Sequence, residues 1–407
     1  MAGLVCASRL EARGAVATVF DTGKHAPGGR MASRVVEVPG WPEGGHVTFD
    51  HAAQYVPVSA STSDPRFVQM TEAWVAQGAA RAWGAGGLVR VGPDGGQRRP
   101  MLEEDVSALV GVGGMRALAR HLAQGLDLRG DTWVDVLKYE PLVGRGRGEG
   151  AFPPRREGWR VGRRGGETDV FDAVVIAHNG KCADRLLRRT GAGLATEAMK
   201  RLRLSAMWVC LVAFDGPVGA DFEAADVEGS EVLRFAANQS AKGVAQQAAM
   251  VGGGGECWTL ISTDVYGRKN KVPQEAVPPE KSKQVFEELT AAFFKAAGVD
   301  PRSAPAVAFH HCQLWGAALG ANTPRTPAVW CPESRVGIAG DWLHLGSIEG
   351  AAVSGLELAD AIVDFSEAAA SLPHPDASWR NFARTIGREE TERPYARVAS
   401  TGILEAV

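Results

Sequence analysis

The chain has 407 residues, 45% of them hydrophobic, enough to bury a large core in one or two domains. Its formal net charge of −3 leaves no electrostatic footprint for nucleic acid. No apolar run approaches the ~18 residues that a membrane span needs.

Six cysteines (Cys6, Cys182, Cys210, Cys257, Cys312, Cys331) lie scattered, without C-x-x-C or Cys/His ligand spacing, and read as reduced thiols, not a metal site. The N-terminus has no signal or transit character. The chain therefore reads as soluble and intracellular: cytoplasmic by default, plastid if a transit peptide precedes Met1.

Residues 1–10 read as a helix opening on small residues, Gly3 among them. Residues 15–20 are a β-branched and apolar run ending in Asp21, and an acid at the end of the second strand of a βαβ unit is placed to bind ribose hydroxyls. The usual fingerprint of that unit is a strand, then G-x-G-x-x-G, then this helix. Only the last glycine, Gly3, stands here, so the first strand and first two glycines would lie before residue 1. Either the chain is a truncated form of a working protein, or it keeps the fold and has lost tight cofactor binding. Gly28 and Gly29 can bring backbone N–H groups near a phosphate, with Arg30 adding a charged fork.

Next comes Phe49-Asp50-His51-Ala52-Ala53-Gln54-Tyr55. Buried unpaired, its polar side chains would cost about 1–3 kcal/mol each. They therefore face a ligand, or pair with one another and with backbone to hold a strand. Residues 61–83 suggest helical turns around Phe67, Met70 and Trp74, and residues 116–126 an amphipathic helix after a glycine-rich turn.

Residues 132–139 alternate as a strand, 143–158 read as an exposed hairpin tip, and 171–180 as a buried strand run ending in a turn. Residues 207–214 form a strong apolar strand, 252–255 a glycine run, and 256–263 a strand with Trp258 in the core. Residues 281–297 form an amphipathic helix through Val285, Leu289 and Phe293. His310 and His311 are adjacent on a strand that runs on to Trp315, so they point to opposite faces and cannot share a metal.

Residues 336–339 are a short apolar strand ending in Gly340 and Asp341. A small-residue loop follows, then a helix with Ala351, Ala352, Gly355, Leu356, Ala359 and Ile362 on one face. Its N-terminus, at Glu349-Gly350-Ala351, carries unpaired amides and partial positive charge. The tail, 367–407, reads as a peripheral helix or disorder.

In this order the segments GGR (28–30), FDHAAQY (49–55), VGVGGM (110–115), the 132–139 strand, QLWGAAL (313–319) and GDW…EGAAVSG (340–355) resemble the renalase-like FAD/NAD(P)-binding oxidoreductases of plants and algae, within the flavin-containing amine oxidase superfamily. The resemblance spans most of residues 2–363. Ala52 departs from the family's glycine and Gln313 from its histidine.

The resemblance implies an α/β protein: a discontinuous Rossmann-type FAD-binding domain (1–60, 105–195, 328–366) of the amine oxidase/p-hydroxybenzoate hydroxylase-like kind, an inserted mixed-sheet α+β substrate domain (61–104, 196–327), and the tail. It implies FAD held by Gly3, Asp21, Gly28, Gly29, Arg30, Gln54, Val134 (at the adenine), Gly340, Asp341 (at the ribityl chain), and Glu349, Gly350 and Ala351 (at the flavin N1–C2=O edge). His51, Trp315 and Trp342 are expected to shape the pocket before the flavin.

The implied activity is hydride transfer from a small reduced substrate, such as a dihydronicotinamide, to flavin N5, with O₂ as final acceptor. An amine oxidase is the alternative, although only four tyrosines are present to frame an amine. A third reading is a non-catalytic scaffold that no longer binds FAD tightly, suggested by the absent first strand, Ala52 and Gln313.

Overall fold

The computed structural model describes residues 1–41, 46–84, 87–141, 157–178, 181–188, 190–244, 255–322 and 324–371. The expected hairpin tip, most of the glycine run and the tail beyond residue 371 lie outside them. The chain divides into two units.

Of the described residues, the first unit takes in Met1–Gly29, those within Ala119–Arg203 and those from 320 to 371. It contains two short parallel ladders: Thr18–Phe20 beside Asp127–Arg129, and Val174–Ile176 beside Val336–Ala339. Ala328–Cys331 adds an antiparallel edge to the second ladder. Val134–Pro141, Glu157–Arg163 and Thr168–Phe171 form a separate antiparallel sheet.

Helix Ala2–Ala12 lies against helix Ile348–Ser371. Gly355 makes that approach possible: a Cβ there would stand 2.5 Å from the Ala2 carbonyl oxygen and 3.0 Å from the Cys6 nitrogen. The apolar face expected of the long helix is the buried one, through Ala351, Ala352, Leu356, Ala359 and Ile362.

The second unit takes in Arg30–Leu118 and Leu204–Leu319. Its centre is a seven-stranded mixed sheet in the order Val307–Trp315, Met207–Phe214, Glu256–Ser262, Leu233–Asn238, Ala224–Val227, Leu88–Gly92, Gly95–Pro100. Every residue of Met207–Phe214 is buried, because both faces of this strand are covered. Its even-numbered residues join Trp258, Leu289 and Phe293 in one core, beneath helix Pro279–Ala297. That helix starts with proline in its first turn and stops at Gly298, whose φ of 72° is left-handed.

The odd-numbered residues of the strand meet Val47, Phe49 and Tyr55 in a second core. The hairpin Ser33–Glu37/His46–Asp50 supplies part of it. This shared core explains why residues 30–60 and 105–118, expected with the FAD-binding part, cluster with the second unit instead. The five described cysteines other than Cys182 are free and buried.

Candidate functional site

In the first unit the Val336–Ala339 strand ends at Gly340 and the buried Asp341, and a 3-10 turn, Asp341–Leu343, leads toward the long helix. The Gly340 N–H donates to Ser354 Oγ at 2.8 Å, tying the strand end to the helix. Ser347 caps the helix: its Oγ accepts from the Gly350 N–H at 2.8 Å and its carbonyl from the Ala351 N–H at 3.0 Å. The amides of Gly350 and Ala351, expected to point at a ligand, are thus spent within the helix end. Trp342, expected in a pocket wall, lies in the first unit's core with Ile338 and Leu343, its Nε1 buried without a partner among the described residues.

The other residues expected at the dinucleotide sit at element ends. Asp21 follows Thr18–Phe20, and its Oδ1 accepts from the Gly23 N–H at 2.6 Å, an Asx turn. A Cβ on Gly3 would approach Ala177 Cβ to 3.0 Å, so glycine lets the first helix lie close to the end of the Val174–Ile176 strand. Gly28 and Gly29 have φ of 131° and 55°, and a Cβ on Gly29 would meet nothing within 4 Å. Val134 opens its strand, opposite Arg163.

This set fits FAD. Open left-handed glycine backbone suits a pyrophosphate, and carboxylates at strand ends suit ribose and ribityl hydroxyls.

In the second unit Asp50 and Lys242 form a wholly buried ion pair, Oδ2 to Nζ 2.6 Å. Asp50 Oδ1 accepts from Ser33 Oγ at 2.5 Å and the Met115 N–H at 2.9 Å. Its carbonyl accepts from Gln54 Nε2 at 2.8 Å and Thr259 Oγ1 at 2.9 Å, and its N–H donates to Gln239 Oε1 at 3.1 Å. Gln54 Nε2 also reaches the Ala52 carbonyl at 3.1 Å, and Gln54 Oε1 accepts from Gln239 Nε2 at 3.0 Å. Burial pushes the Lys242 ammonium's pKa down, and Asp50 pulls it back up. The side chain of Gln54 therefore holds the FDHAAQY segment in place, and Arg30 Nη1 donates to the Ala318 carbonyl at 2.9 Å.

A different surface begins one residue later. Strand alternation puts Phe309, His311, Gln313 and Trp315 on one face of Val307–Trp315 and His310 on the other, where it stacks on Phe286 at 4.1 Å. The first face meets the hairpin residues in matching order. Phe49 lies 6.4 Å from Phe309, Arg34 Nη2 donates to Gln313 Oε1 at 3.1 Å, and His51 stacks on Trp315 at 5.4 Å. Trp315 Nε1 also donates to the His51 carbonyl at 3.0 Å.

His51 is 7% exposed, and among the described residues its Nδ1 has no hydrogen-bond partner. Burial pushes the His51 pKa down to about 4, helped by Arg34, His311 and Arg116 and opposed by Asp50.

Reading the sequence missed Lys242, Gln239, Ser347 and Arg34. The first two lie on a polar loop with no periodic signal. Arg34 was legible, because alternation with Val36 and Val38 turns it toward the core.

The comparisons with known proteins agree with this frame. Residues 1–72 match the model of an NAD(P)-binding Rossmann-like domain, and residues 67–363 that of the flavin containing amine oxidoreductases. Among solved structures, cyclohexylamine oxidase from Brevibacterium oxydans is similar with a TM-score of 0.60 at 12% identity, over 90% of this chain and 97% of that one. A putrescine oxidase redesigned in its cofactor binding gives 0.57 at 12%, over 89% and 97%. An oxidoreductase from Methanosarcina mazei gives 0.55 at 13%, over 88% and 97%. At such identities these structures speak for the fold alone. The family model covers well over half the chain: this protein belongs to the flavin-containing amine oxidoreductases, as an FAD-dependent oxidoreductase.

Proposed function

We propose that the chain oxidises a small hydride donor of the dihydronicotinamide type, with O₂ as the final acceptor. FAD, when bound, supplies the two-electron acceptor, taking a hydride from the substrate and passing both electrons to O₂ to give hydrogen peroxide. The observation that carries the substrate reading is the state of Asp50. This carboxylate beside the His51–Trp315 stack is already neutralised by Lys242 and saturated by Ser33 and Met115. It is not available to receive an ammonium group, and most amines are cations at neutral pH.

Hydride donation needs no general base. His51 is held neutral over most of the working range, so it offers a flat ring and a lone nitrogen rather than a charge. Trp315 fixes that ring by stacking on it and by its bond to the His51 carbonyl. On this reading Asp341 and Asp21 hold the cofactor's hydroxyls, Gly28 and Gly29 its phosphates, and Val134 its adenine.

Amine oxidation is the second reading, favoured by the family and by the cyclohexylamine and putrescine oxidases of similar fold. Anaerobic mixing of the FAD-loaded protein with a dihydronicotinamide or with an amine separates the two. Bleaching of the flavin absorbance by the first and not the second is expected, with peroxide formed when air is admitted. Bleaching by amines alone would overturn the proposal, and a purified protein that stays colourless with added FAD would support the scaffold reading.

A further inference from the structure

We infer that Arg34 anchors an oxyanion, a phosphate or carboxylate, carried by the substrate. The identity of the remainder of that substrate rests on the hydride-donor reading; the anchor itself rests on the second unit alone.

Arg34 lies on the inward side of strand Ser33–Glu37, next to Phe49 across the ladder. A guanidinium brought partly out of water needs charged or well-matched acceptors. Among the described residues its side chain makes one hydrogen bond, to a neutral amide, Gln313 Oε1, at 3.1 Å. Its Nε is buried with no partner, and among the described residues no carboxylate pairs with it. His51 and His311 both feel its charge and are pushed toward the neutral form by it, while Asp50 acts on His51 in the opposite sense. The carboxylate at this end of the hairpin, Asp50, belongs to Lys242.

Among the described residues two buried nitrogens, Arg34 Nε and His51 Nδ1, are therefore unsatisfied around a guanidinium that no carboxylate neutralises. Buried polar atoms are rarely left so, and those that are deserve a partner. A cationic ligand would worsen the balance, and an uncharged one would leave the fork half used. An oxyanion satisfies both charge and geometry, because a guanidinium presents parallel N–H donors that match two oxygens. The Trp315 indole beside it offers an apolar edge to the uncharged part of the same molecule. The substrate class is thus an anionic, planar reductant, with free mono- and diamines disfavoured.

The first test needs no catalysis. The purified protein is titrated with inorganic phosphate and, separately, with acetate while the His51 and His311 ring protons are followed by NMR. Saturable shifts and a raised His51 pKa are expected, lost in Arg34→Gln and partly kept in Arg34→Lys. Which of the two anions acts tells phosphate from carboxylate recognition.

The second test compares flavin reduction by three dihydronicotinamides that differ at the ring nitrogen: the ribose-phosphate form, the carboxymethyl form and the uncharged methyl form. An oxyanion-bearing donor should show kcat/KM roughly 10-fold or more above the methyl form. Arg34→Gln should remove that advantage and leave the methyl form within about threefold of wild type.

Equal rates for all three donors in the wild type, or an equal loss on all three in Arg34→Gln, would overturn the inference. If none of the three bleaches the flavin while amines do, the hydride-donor reading fails. The anion titration then decides the role of Arg34 by itself, and an absence of phosphate or acetate shifts rejects it.

Discussion

Asp50 and His51 are neighbours in the chain and opposites in chemistry. Both carboxylate oxygens of Asp50, its carbonyl and its N–H are bonded to protein groups. Among the described residues His51 keeps an unsatisfied Nδ1, and Arg34, His311 and Arg116 press it toward the neutral form against the pull of Asp50. A closed polar network holds a segment in one place, because each member is satisfied only in that arrangement. An open one marks where the protein is complete only with something else in place. The FDHAAQY segment does both, one residue apart.

The sharpest way to break this contrast is at its closed end. Asp50→Asn leaves a buried ammonium without its counter-charge, and breaking a buried pair from one side costs about 3–5 kcal/mol. Chemical denaturation should show a loss of that size. Lys242→Met alone should cost a similar amount, and the double variant less than the sum of the two, because the pair is coupled. Additive losses would mean that the two side chains act independently.

The sequence shows one half of that contrast better than the other. Met207–Phe214 and Val336–Ala339 could be bounded to the residue, since a run apolar at every position leaves few alternatives. Trp258 in the core and the divergent faces of His310 and His311 followed from the two-residue period of strands. The glycines and acids of the dinucleotide half stand at element ends, where the sequence pattern put them, because those residue types suit turns and strand ends.

Lys242 was not legible. It comes from a loop far along the chain, and nothing local says that its ammonium reaches Asp50. Nor could Gln54 be separated into ligand contact and internal strut, since both uses need the same amide. Only the partners, Gln239 and the Asp50 carbonyl, decide it.

At the open end, His51 gives stability a pH dependence. An unfolded imidazole charges near pH 6.5, but the folded one stays neutral until about pH 4. Between these values the unfolded state binds more protons, so stability falls as pH drops from 6.5 toward 4. The loss is on the order of 3 kcal/mol by the bottom of that window. His51→Gln should flatten this part of the profile in thermal melts. An unchanged slope would place the titration on another group.

The first unit offers a purely steric contrast. Gly355→Ala would drive a Cβ to 2.5 Å from the Ala2 carbonyl, backbone that cannot rotate away. Overpacking of this kind costs about 1–3 kcal/mol. The two helices that part carry Gly3 and the Glu349 end between them, so the variant should also retain less FAD through purification, read as the ratio of flavin to protein absorbance. Full flavin content with lowered stability would separate helix packing from cofactor binding.

The smallest effect tests whether the start of the Ile348–Ser371 helix belongs with the closed or the open class. Ser347 closes part of it, its hydroxyl accepting the Gly350 N–H. Losing an N-cap hydroxyl costs about 1 kcal/mol, so Ser347→Ala should melt slightly earlier. If the cap is a strut like Gln54, that small loss is the whole effect and flavin content is unchanged. If the amides ahead of Gly350 stabilise negative charge on reduced flavin, freeing one more donor should raise the flavin's reduction potential while stability falls. The potential and the melt then move in opposite senses, and structural damage would not be expected to produce that combination.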